Sequence, residues 1–63
     1  MTEIELRAIL ADLGLSQAEL ARHLGVTRRA VAYWLAGQRR ILSPTVRLMR
    51  LAKRRGYWKA PKP

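Results

Sequence analysis

The sequence predicts an all-α fold, a compact domain of four helices joined by short turns. Three observations predict it. Apolar residues recur at spacings of three and four, the period of a helix with one buried face. Serine or threonine stands at the head of each run, where its hydroxyl can cap free backbone N–H groups. A glycine closes each run, at Gly14, Gly25, Gly37 and Gly56, where a left-handed residue commonly ends a helix.

The elements follow in order. Thr2 and Glu5 form a Thr-x-x-Glu capping box, and Leu6, Ile9, Leu10 and Leu13 give a first helix over about residues 3 to 13. Ser16 and Glu19 repeat the box, and Ala18, Leu20, Ala21 and Leu24 give a second helix over about 17 to 24. At two turns it has no stability of its own and must pack on its neighbours. Thr27 caps a third helix with an inward stripe of Val31, Trp34 and Leu35 and an outward stripe of Arg28, Arg29, Ala32, Tyr33 and Ala36; Gly37 ends it. Ser43 as cap and Pro44 at the first helical position start a fourth helix, with Val46, Leu48, Met49, Leu51 and Ala52 on its apolar side and Arg47, Arg50 and Arg54 opposite. Gly56 closes it, and the proline-containing tail 57–63 reads as extended. The 63 residues make one domain with a small core, and without cysteine no disulfide or thiolate site supports it. One histidine and four acids make a metal cluster an unpromising reading, so no metal or cofactor is expected.

The charge is +9, and it is unevenly placed. Glu3, Glu5, Asp12 and Glu19 all lie in the first 19 residues; from Leu20 to Pro63 there are twelve basic side chains and no acid. Such a surface repels itself and calls for a polyanion. Nucleic acid leads, ahead of a solvated basic face or an anionic membrane. No apolar run approaches the ~20 residues of a membrane-spanning helix, and the acidic start Met-Thr-Glu-Ile-Glu is neither a secretory signal nor a basic transit peptide.

Gly25, Val26 and Thr27 join the second and third helices as a helix-turn-helix. Val26 plugs the gap between them, and Ala21 is small where the second helix of the pair must approach the first. A purely structural helical bundle is the alternative, and the charge asymmetry argues against it. The stretch LGLSQAELARHLGVTRRAVAYWLAGQRR resembles the helix-turn-helix core of the lambdoid phage repressors and Cro proteins, the Xre-like family. The resemblance covers about residues 6 to 52. It implies a lambda-repressor-like domain, residues 1–56, in which the third helix enters the major groove of DNA; the family domain usually has five helices, and four are found here. The segment SPTVRLMRLAKRRG also resembles the last helix of some antitoxin and small phage-regulator domains.

Arg28 and Arg29 stand at the N-terminal end of the third helix, where side chains reach base edges in this geometry. Arginine can donate two parallel hydrogen bonds to guanine O6 and N7; phosphate contact without reading is the alternative. Tyr33, one turn on, faces either a thymine methyl or a phosphate. Ser16, Gln17, Thr27, Arg39 and Arg40 are expected on the DNA backbone, Gln17 by the family resemblance and a helix N-terminus by its affinity for phosphate. The first arginine pair reads and the second grips. His23 is expected to be exposed, Trp34 to be core rather than a base-stacking ring, and Tyr57 and Trp58 either to cap the core or to meet a second copy.

These residues point to a sequence-specific regulator of double-stranded DNA, a repressor or autorepressor of phage or mobile-element type acting by promoter occlusion. An antitoxin that neutralises a partner protein and regulates its own operon is the alternative. No paired acids, nucleophile–base set or phosphate-cradling glycine loop suggests an enzyme. One recognition helix covers too few base pairs for selectivity, so a homodimer, at least on DNA, and an inverted-repeat operator are expected. No membrane or small-molecule partner is expected, control falls to the protein's concentration, and the location is a bacterial cytoplasm, on the nucleoid.

Overall fold

The computed structural model describes residues 1–59 and places among them four helices and no strand: α1 (Glu3–Leu13), α2 (Gln17–Leu24), α3 (Arg28–Leu35) and α4 (Ser43–Arg55). Capping chemistry sets their starts. The Ser16 box is complete, with the Glu19 N–H donating to Ser16 Oγ at 3.1 Å and the Ser16 N–H to Glu19 Oε1 at 3.0 Å. Thr27 Oγ1 accepts the Ala30 N–H at 3.1 Å.

Two expected caps are corrected. The Thr2 box is half-formed: Thr2 Oγ1 accepts the Glu5 N–H at 3.3 Å, but the Glu5 carboxylate is taken by Arg50 of α4, which donates from Nε at 2.7 Å and from a terminal nitrogen at 3.0 Å. A charged, two-bonded partner outcompetes a lone backbone N–H. Ser43 does not cap α4. Leu42 holds the extended cap conformation, and its carbonyl accepts the Val46 N–H at 3.0 Å. The donor a capping serine would take is therefore already used, and Ser43 is the helix's first residue.

Gly25 shows why the turn needs glycine. Its φ is +72°, and the reversal lets the Val26 N–H bond the Ala21 carbonyl at 3.0 Å. A Cβ there would meet nothing within 4 Å, so backbone angle rather than space excludes a side chain. Past α3 the same device operates: Ala36 stays right-handed, Gly37 turns at φ +73°, and the Gln38 N–H bonds the Tyr33 carbonyl at 2.9 Å.

The core takes Leu6, Ile9 and Leu13 from α1, Leu20 and Ala21 from α2, Val31 and Leu35 from α3, and Val46, Met49 and Ala52 from α4, sealed by Leu15 and Ile41 of the connections. α3 packs on α2 and α1, and α1 also packs on α4. Four apolar residues depart from expectation. Leu48 points outward, 41% exposed, because Val46, Met49 and Ala52 define the buried arc of α4 and Leu48 falls outside it. Ala18 is exposed as well. Ile41, which no helical run of the sequence included, is buried at 8% exposure. Trp34 packs at the edge of the core and is only half-buried.

The chain after Gly56 folds back. Tyr57 and Trp58 lie in a turn rather than an extended segment, with the Tyr57 N–H on the Ala52 carbonyl at 2.9 Å. Trp58 has φ +63°, a left-handed angle that costs a non-glycine residue roughly 1–2 kcal/mol. Its indole packs against the core and stacks on His23 of α2, centroids 5.3 Å apart and planes 10° from parallel; these contacts offset the strain. Trp58 therefore caps the core while Tyr57 stays exposed. The rest of the expected tail, residues 60–63, lies outside the described residues.

The two bonded carboxylates give a pH expectation. The hydrogen bond from Arg50 holds Glu5 below the usual carboxylate range, and the Ser16 backbone N–H, then its hydroxyl, do the same for Glu19. A depressed folded-state pKa contributes stability above the unfolded value, and that contribution is lost as pH falls through the folded one. Tm should therefore fall as pH drops through and below about 4. Thermal melts of Glu5→Gln should start lower at pH 6 and show a shallower acid limb; an acid limb of wild-type slope would remove Glu5 from the account.

Candidate nucleic-acid interface

α3 presents two unlike faces. Val31 and Leu35 are locked into the core, while Arg28, Arg29, Ala32 and Ala36 are exposed and Tyr33 is half-buried. Arg28 and Arg29 occupy the first turn, and no acid accompanies them there. Among the described residues neither forms a hydrogen bond or salt bridge within the protein, so both guanidinium forks are free to meet a ligand. They also sit at the positive end of the helix dipole, which adds to their attraction for anions.

The expected backbone-contacting groups flank this helix. Thr27 is exposed, and its oxygen accepts from Ala30, so the hydroxyl proton remains to donate. The Ser16 backbone N–H is consumed by the Glu19 carboxylate, toward which its hydroxyl is also directed. At the start of α2 the exposed Ser16 and the half-buried Gln17 stand side by side. Arg39 and Arg40 are exposed in the turn after α3.

The structure brings two site residues together that the sequence had kept apart. The Arg39 guanidinium carbon lies 4.6 Å from the centroid of the Tyr33 ring, within range of a cation–π contact. Arg40 lines a shallow cleft with Met1, Trp34 and Ile41. Two positioning contacts were missed. Arg7 of α1 donates to the Leu35 carbonyl at 3.4 Å, placing a cation at the C-terminal end of α3, where the dipole favours one. The Glu5–Arg50 pair ties α1 to α4 and engages one arginine of the basic face. Neither had a local signal, since the partners lie 28 and 45 residues apart.

No helix among the described residues is long and apolar enough to cross a membrane. A family model described as helix-turn-helix matches residues 6–53. No curated protein and no solved structure gives a significant match to the chain.

Proposed function

Because the chain belongs to the helix-turn-helix family of Xre/Cro-like proteins, we propose that it is a repressor, or autorepressor, of phage or mobile-element type that occludes a promoter. Its membership makes it a sequence-specific DNA-binding regulator; the repressor role, the residues that read and the assembly are our reading. The observation that carries it is the pair of unpartnered arginines on the first turn of α3, on a helix whose other face is fixed in the core.

In this reading residues 1–56 form the DNA-binding unit, with 57–63 as its tail. α3 lies in the major groove. Arg28 and Arg29 donate to guanine O6 and N7, and Tyr33 reaches the next base step. Ser16, Gln17, Thr27, Arg39 and Arg40 hold phosphates on either side and fix the register. Two copies meet on an inverted repeat with half-site centres about 10–11 base pairs apart, one turn of duplex. The protein acts in a bacterial cytoplasm, on the nucleoid.

Sedimentation of the protein alone and on its operator tests the assembly. Two subunits per operator are expected, with half-sites bound far more weakly than the full site. With roughly six to ten phosphates neutralised per dimer, log affinity should fall against log salt with a slope of about −5 to −9. One subunit saturating the operator, with half-sites as tight as the whole, contradicts the dimer.

A further inference from the structure

We infer that Arg39 determines specificity by fixing the Tyr33 ring in the reading surface, rather than serving only to grip the backbone. The inference rests on the proposal that α3 reads bases. It starts from local structure. The turn at Gly37 and the bond from the Gln38 N–H to the Tyr33 carbonyl send the chain back over the helix it has just left. Arg39 therefore arrives above Tyr33, with its guanidinium 4.6 Å from the ring centroid. Arg40, next along, makes no such contact with an aromatic ring among the described residues, so the two members of the pair are not equivalent.

The contact has two consequences. A half-buried tyrosine at a groove surface can adopt several rotamers, and ordering it on DNA opposes binding. A guanidinium held over one face restricts the ring before DNA arrives and leaves its other face, edge and hydroxyl available. The guanidinium carries five N–H donors, so a contact with one ring face leaves donors over; the same side chain can hold the ring and donate to an adjacent phosphate or base edge. Arg39 is a positioning residue in the first role and a contact in the second. Lysine keeps the charge but lacks the planar group.

Binding-site selection from random duplexes, run with wild type, Arg39→Ala, Arg39→Lys, Arg40→Ala and Tyr33→Ala, tests this. Arg39→Ala should relax the motif at the base position that Tyr33→Ala relaxes, with Arg39→Lys intermediate. Arg40→Ala should leave the motif as in wild type. Arg39 is exposed, so Arg39→Ala should stay folded, with Tm lowered only slightly by loss of the surface contact. On the wild-type site a Tyr33/Arg39 double-mutant cycle should show coupling of about two- to fivefold. If Arg39→Ala selects the wild-type motif and its loss combines independently with that of Tyr33→Ala, Arg39 has no part in specificity. If wild type selects no motif at all, base reading itself fails, which is a distinct result.

Discussion

Alanine at Arg28 or Arg29 is expected to weaken operator binding by roughly 1–3 kcal/mol and to relax the preference for a guanine in each half-site. The size follows from what is removed. A bidentate arginine–guanine contact is the commonest specific contact in the major groove, and a good bidentate pair is worth roughly 1–3 kcal/mol of discrimination. Neither arginine has an internal partner among the described residues, so truncation should cost binding and leave folding intact. Competition binding against operators changed one base pair at a time separates this from phosphate gripping. A reading arginine, once truncated, stops distinguishing one base pair; a gripping arginine loses affinity on every duplex alike. Uniform losses for both variants would move the pair from the bases to the backbone.

Leu20→Ala is expected to remove about 2–5 kcal/mol of stability. Leu20 is fully buried and comes from α2, an eight-residue helix too short to be stable without packing. Its side chain is part of the core that seats α3, so the cavity would open beneath α3. Native domains have only about 5–15 kcal/mol in total, and a chain of this length sits low in that range. Urea denaturation should show the midpoint collapsing, with DNA binding lost through unfolding. A Leu20→Ala protein of near-wild-type midpoint would mean that the core closes without α2.

Much of the fold was legible because the signals are local. The spans of α1 and α2, the Ser16 box and the turn at Gly25 each depend on caps, turns and apolar spacings that are local in the chain, and the structure reproduces them. The start of α4 was misread because a serine before a proline resembles a cap, whereas the carbonyl of Leu42 had already taken the Val46 N–H. Leu48 and Trp34 were assigned to the core by periodicity, which fixes a face but not how far the neighbouring helix covers it. The contact of Arg39 with Tyr33 depends on the path of a turn, and the salt bridge of Arg50 with Glu5 and the stack of Trp58 on His23 join distant parts of the chain. Sequence pattern carries no such distances. For the site, composition and motif register named the arginines, and the structure adds which are free and which are held.

The central claim is that α3 reads duplex DNA through Arg28 and Arg29. Enrichment of bound sequences from a random duplex library tests it most directly, using wild type beside the two alanine variants. An inverted repeat with a guanine in each half-site and centres about 10–11 base pairs apart is expected, with that guanine losing its preference in at least one variant. Enrichment of no motif by wild type, or of the same motif by all three proteins, would contradict it.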